Sequence, residues 1–148
     1  MTQESFLDIE EEFYNLENLE LLHVEVFFNE LALYFGSKQN QKTGNLILYI
    51  GKNWEVLDSG RTKIDDSYDS EDIILFFNQL IGMSVESTKL FKDSLELFIE
   101  MSNHYFLHFL TTKKNKIELI HLDGESVIID QETGFRRNKH TTKSSLSV

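Results

Sequence analysis

An α+β domain with an antiparallel sheet, built from two similar helix-plus-strands repeats, follows from three features of this 148-residue chain. Two stretches carry apolar residues at helical steps, and many shorter stretches carry them at alternate positions. These elements also recur in the same order in the two halves. With 41% of its residues apolar and 26% charged, the chain has the profile of one globular domain.

From Glu4 to Leu16, the residues Phe6, Ile9, Phe13 and Leu16 recur at steps of three and four and form one stripe of a helix. Asp8, Glu11, Glu12 and Asn15 then face water. The period changes to two at Leu19 and Leu21, at Leu31, Leu33 and Phe35, at Leu46, Leu48 and Ile50, and at Trp54 and Val56, as half-buried strands require. A tight turn at Asn29 and Glu30, a polar loop from Ser37 to Gly44 and a short turn at Gly51 to Asn53 connect these strands into an expected antiparallel meander.

Arg61 to Ser70 reads as polar and turn-rich. Asp69 or Ser70 then caps a second helix, with Glu71 and Asp72 in the first turn, where the dipole favours negative charge. Ile73, Ile74, Phe77, Leu80 and Ile81 make its apolar stripe, and Gly82 stops it. Alternation returns at Met83 and Val85, at Leu95, Leu97 and Ile99, at Tyr105, Leu107 and Phe109, and at Val127 and Ile129. The expected domain runs over 1–135, with a basic, flexible tail at 136–148 that holds few apolar anchors.

Residues 16–35 shifted by 64 match the second half without a gap: Leu16 falls on Leu80, Leu21 on Val85, Phe27 on Phe91, Leu31 on Leu95 and Phe35 on Ile99. Shortening the polar loop by five residues puts Leu46, Leu48 and Ile50 on Tyr105, Leu107 and Phe109. The expected units are about 4–60 and 70–130, packed about a pseudo-twofold axis because neither covers its own apolar sheet face.

The chain holds 14 Lys and Arg against 25 Asp and Glu, a formal charge of −11 that repels nucleic acid and anionic membrane. Residues 1–30 contain nine acids and no Lys or Arg, and Asp65, Asp66, Asp69, Glu71 and Asp72 fall within eight residues. Cations gather at Arg61 and Lys63, at Lys113, Lys114 and Lys116, and from Arg136 onward. Solubility needs net charge but not this segregation of sign, which points to an acidic sector that steers a basic partner.

Catalytic signatures are missing from the sequence. No glycine-rich phosphate loop occurs; Gly51-Lys52-Asn53 is the nearest stretch and lacks the preceding loop and the following hydroxyl. No Gly-x-Ser-x-Gly elbow is present. Counted as a calcium loop from Asp65, the chain puts Ser70 where the turn glycine belongs and Phe76 where the bidentate glutamate belongs. His104 and His108 lie in a strand-like segment with no acid beside them, so they read as surface or partner-facing and not as metal ligands. Cysteine is absent altogether. Phe28, Phe98 and Phe106 fall out of phase with the inward residues of their segments and are expected either under a helix or in a contact patch.

The acidic N-terminal helix, the repeated Leu-x-Leu-x-Phe/Ile strands at 31–35 and 95–99, and the endings Leu57-Asp58-Ser59-Gly60 and Leu122-Asp123-Gly124 carry a resemblance over most of the chain. The chain resembles the small, acidic, cysteine-poor immunity proteins that bacteria encode beside polymorphic or contact-dependent toxins. The resemblance implies a non-catalytic inhibitor that binds one toxin domain, often a basic nuclease, by charge and shape complementarity. It transfers no functional residue.

The expected function is therefore protein binding without catalysis, cofactor or metal, in the cytoplasm, as monomer or homodimer. The expected contact residues are Glu10, Glu11, Glu12, Glu17, Glu20 and Glu25 together with Asp65, Asp66, Asp69 and Asp72. Two other readings compete: a small enzyme using His104 or His108 with a carboxylate, and a structural homodimer formed through Phe28 and Phe98.

Overall fold

The computed structural model describes residues 2–3, 5–37, 46–121 and 124–139. Two helices and two antiparallel sheets enclose one continuous core. The chain runs β1 (Thr2–Gln3), α1 (Phe6–Tyr14), β2 (Glu20–Phe27), β3 (Glu30–Gly36), β4 (Leu46–Ile50), β5 (Trp54–Asp58) and β6 (Arg61–Asp65). It continues through α2 (Ser70–Asn78), β7 (Val85–Phe91), β8 (Glu96–Met101), β9 (Phe106–Phe109), β10 (Ile117–His121), β11 (Glu125–Asp130) and β12 (Gly134–Lys139). Seven strands pair in the order β1-β12-β11-β10-β4-β3-β2, and five in the order β6-β5-β9-β8-β7.

Both helices form where the apolar stripe predicts them. Ser5 caps α1 by accepting from the Asp8 N–H, and Ile9, Phe13 and Leu16 are fully buried. Phe6 is partly buried and packs edge-on against Phe135 of β12. Asp69 occupies the N-cap of α2 without a side-chain hydrogen bond, and Gly82 takes φ +96 beyond its end. The stripe of α2 differs from the expected one: Ile73, Phe76, Phe77 and Leu80 are buried, whereas Ile74 and Ile81 are exposed. Phe76 packs edge-on against Phe77 and stacks on Tyr105, which draws the buried face of α2 round to Phe76.

The meander ends at β4. Strands β2, β3 and β4 are consecutive neighbours, but β5 crosses to the other sheet. At the crossing Asn53 takes φ +73 and its N–H donates to Asp66 Oδ2 at 2.8 Å. The next residue, Trp54, is buried edge-on against Phe77 of α2. A sheet with one apolar face needs a second layer, and this crossing supplies it. Each sheet thus joins three consecutive strands of one half to strands of the other: β10 adds beside β4, and β5 beside β9.

Three further differences follow from long-range pairing. The stretch expected to be only turns contains β6, whose single buried apolar residue, Ile64, leaves no alternation to read. The first tight turn falls one residue earlier, at Phe28 and Asn29, both at positive φ, as a two-residue hairpin turn between right-twisting strands requires. Residues 136–139 of the expected flexible tail lie in β12, all paired with β11 and the first two also with β1; 140–148 fall outside the described residues, as does most of the expected loop from Ser37 to Gly44.

Candidate functional site

The hairpin tip between β2 and β3 is fastened to the acidic turn before α2. The Asn29 amide donates to the carbonyls of Asp66 at 2.8 Å and Tyr68 at 2.9 Å, and its side-chain oxygen accepts from Ser70 Oγ at 2.8 Å. The Asn29 carbonyl accepts from Trp54 Nε1 at 2.9 Å, which ties the tip to the core. Asparagine suits this position because it takes the left-handed conformation at modest cost and its amide both donates and accepts. Around this fastening Phe28 is 88% exposed, Phe27 55% and Tyr68 44%.

The ten acids expected at a contact surface divide by element. Asp65, Asp66, Asp69 and Asp72 sit at the end of β6, in the following turn and at the start of α2, beside the tip. Glu20 and Glu25 lie on β2. Glu10, Glu11 and Glu12 lie on α1, and Glu17 in the turn that follows. Glu12 is held at β10 and β12, and in the sheet order β11, β10 and β4 stand between β12 and the hairpin of the tip.

Several of the ten are engaged within the chain. Glu12 contacts His121 Nε2 at 2.9 Å and the Arg137 guanidinium at 3.0 Å. Glu17 accepts from the Thr88 N–H at 3.0 Å, and Glu25 from the Tyr34 hydroxyl at 2.9 Å. Asp65 accepts from the Ser67 N–H and Asp66 from the Asn53 N–H, closing the turn. Burial and a hydrogen bond to Glu10 together push the Tyr14 phenol up from 10.0. Glu11, Glu20, Asp69 and Asp72 make no side-chain hydrogen bond or ion pair with a described residue, and Glu11, Asp69 and Asp72 are exposed.

A buried polar cluster that sequence reasoning missed occupies the outer face of the five-stranded sheet. His108 is 9% exposed, with Nδ1 2.9 Å from Glu55 Oε2 and Nε2 2.6 Å from Glu96 Oε1. Its ring stacks on Phe98 at 4.0 Å and 9°. Both ring nitrogens thus face a carboxylate oxygen at hydrogen-bond distance. The acids come from neighbouring strands, and no sequence signal links Glu55 to His108 until β5 and β9 are known to pair. His104 stands apart at 86% side-chain exposure, 3.9 Å from Glu100.

A second outer-face cluster lies on the seven-stranded sheet. The Tyr49 hydroxyl donates to Glu30, and this bond, with burial and the charges of Glu30 and Glu118, pushes the phenol up to about 12. At the end of β11, burial would raise the Asp130 carboxyl. Hydrogen bonds from the Thr133 N–H and hydroxyl and the Glu132 N–H, with the Arg136 charge, outweigh it and lower the carboxyl below its ordinary 3.8.

A cavity of about 420 Å³ at the junction of the sheets is lined by Trp54, Glu55, Asp65, Asp66 and Thr111 among others. Each of its carboxylates already has an internal partner: Glu55 binds Thr62 and His108, Asp65 binds Ser67, and Asp66 binds Asn53. Among the described residues no group of three or more His, Asp or Glu is placed to hold a metal ion, and no helix is long and apolar enough to cross a membrane. No protein-family model matches the chain, and searches of curated proteins and of solved structures return no match.

Proposed function

We propose that this chain is a non-catalytic protein-binding module of the immunity type, which neutralises a basic, nuclease-like toxin domain through its acidic surface. One observation carries the reading. The sequence has no Lys or Arg before Lys38 and none between Lys63 and Lys89, and Asn29 bonds these two cation-free stretches to each other. That contact gathers acid-rich sequence at the tip, where Asp69 and Asp72 are exposed and unpaired among the described residues, while Glu30 on the other side of Asn29 lines a pocket with Lys113, Lys114 and Lys116. Carboxylates gathered in this way attract a cationic partner at long range and repel nucleic acid.

Two features favour binding over catalysis. Both nitrogens of His108 are occupied by carboxylates and its ring is covered by Phe98, so it has no free nitrogen for a substrate proton. His104 is a solvent-exposed turn residue, 3.9 Å from Glu100 and outside the pocket lined by Glu55, Asp65 and Asp66. The test is co-purification with the product of the adjacent reading frame, followed by affinity measurements from about 50 to 500 mM salt. A complex whose association slows as salt rises, and whose toxin partner is silenced by co-expression, is expected. Failure of the neighbouring product to bind, or binding indifferent to salt, would refute the proposal.

We also infer that the domain is an internal duplication, with units of about 4–60 and 70–130. Helix α1 begins at residue 6 and α2 at residue 70, the same offset of 64 found in the sequence match. The Asn18 N–H donates to the Val85 carbonyl and the Gly82 N–H to the Leu21 carbonyl; the Leu21 N–H donates to Met83 and the Val85 N–H to Leu19. Each pair exchanges under that offset. Strand β2 has its irregularity between Leu21 and His23, and β7 between Val85 and Ser87. Because each sheet takes strands from both units, fragments cut within Ser67–Asp69 are expected to be unfolded apart and to regain sheet circular dichroism when mixed. Independent folding of either fragment would count against the duplication.

A further inference from the structure

We infer that the β2–β3 tip is the centre of the docking surface, and that Phe27, Phe28 and Tyr68 with the carboxylates of Asp69 and Asp72 take arginine side chains of a cationic protein surface. This rests on the acidic-docking reading and adds to it where the partner sits and what chemistry it presents. Phe27 and Phe28 at the tip and Tyr68 in the turn fastened to it by Asn29 are all exposed, which costs solvation, and aromatics are enriched at interface centres. The fold does not require an aromatic ring at Phe28. At the corresponding place in the second half, shifted by 64, Lys92 stands where Phe28 does, and that hairpin tip turns through Lys92 to Leu95. There the preceding Phe91 packs edge-on against Phe98 at 5.6 Å, and the Lys89 amine lies 5.8 Å from its ring.

The chemistry of the occupant follows from charge complementarity. The two stretches that meet at the tip contain no cation, and Asp69 and Asp72 are exposed with no ion-pair partner among the described residues; Lys113, Lys114 and Lys116 line a pocket with Glu30. A planar, weakly hydrated guanidinium stacks on an aromatic face and bonds a carboxylate at its edge, which an ammonium does less well and an apolar or acidic surface does not do. Phe28 also needs little ordering to act as an anchor. The four hydrogen bonds of Asn29 already hold the turn against Asp66, Tyr68, Ser70 and Trp54, so binding does not have to freeze it.

The test uses the full chain, labelled with nitrogen-15, titrated with amidated hexa-arginine and with amidated hexa-lysine. The arginine peptide is expected to shift the amides of 27–30 and 66–72 and to bind more tightly than the lysine peptide. Phe28→Ala is expected to weaken it about two- to fivefold, the worth of one exposed cation–aromatic contact. Phe28→Leu, which keeps apolar area without the ring, should weaken it nearly as much, and Glu86→Gln on β7 should leave it unchanged. The dispersed spectrum of each variant reports that the fold is intact. Shifts centred on Glu10–Glu12, with the Phe28 variants binding like the parent, would overturn the tip as centre while leaving acidic docking standing. Absence of shifts with either peptide would overturn both.

Discussion

Asn29→Gly isolates what the tip fastening contributes to stability. The substitution keeps a residue able to sit at φ +66 and removes only the side chain, with its two donated bonds and one accepted bond. Intramolecular hydrogen bonds contribute about 0.5–1.5 kcal/mol each, and because two of the three are solvent-exposed the low half of the range applies, about 1.5–3 kcal/mol in total. Greater freedom of the unfolded glycine adds up to about 1 kcal/mol more. For a chain of this length the loss corresponds to a melting temperature lower by roughly 3–16 °C. Asn29→Asp is the sharper variant. It retains an acceptor for Ser70 but turns a carboxylate toward the carbonyls of Asp66 and Tyr68, so it should be less stable than Asn29→Gly. Urea titration followed by Trp54 fluorescence reads the midpoint, with an unchanged slope reporting that only stability moved. A midpoint for Asn29→Gly equal to the parent's, or Asn29→Asp more stable than Asn29→Gly, would refute the bonding scheme.

Other consequences follow from the titrating and buried groups. Because the Asp130 carboxyl is held below its ordinary value of 3.8, its contribution to stability is present above that value and lost as pH falls through the lowered one. Asp130→Asn should therefore lower the urea midpoint at pH 7 and flatten its decline below about pH 4. Tyr49, pushed up to about 12, keeps its proton in the folded state, and the stability it contributes below pH 10 is lost as pH rises through the raised value. In an ultraviolet titration the highest-pH phenolate step should disappear in Tyr49→Phe. His108→Leu removes the partner of Glu96 and leaves Glu55 only its bond from Thr62, and should cost about 1–3 kcal/mol, whereas His104→Ala should stay within about 0.5 kcal/mol. Equal urea midpoints for those two variants would contradict the cluster.

The helices and most strands were legible because side-chain periodicity reports directly which face of an element is apolar. The stripe Phe6, Ile9, Phe13 and Leu16, the alternation at 31–35 and 95–99, and the stop at Gly82 all read correctly for that reason. Where one apolar residue carried a whole strand, as Ile64 does in β6, there was no period to read. Arg136 and Arg137 looked like a loose tail because their anchors, Asp130, Glu12 and Glu125, are ionic and distant along the chain or hidden across a turn. Among the acids, the sequence marked which stretches lack cations; it could not mark Glu12 or Glu17 as internally engaged, since their partners lie 109 and 71 residues away.

Residue order alone conveyed both helices, most strands with their apolar faces, and the separation of charge along the chain, since each of these is a local property; β6 and the Phe76 side of α2 escaped it. Long-range packing settled that β5 leaves its neighbour β4 for β9, that His108 meets two glutamates, and that Asn29 joins two cation-free stretches. Hydrogen bonding between strands is blind to sequence distance, and which strands pair is settled by how two sheets bury their apolar faces against one core.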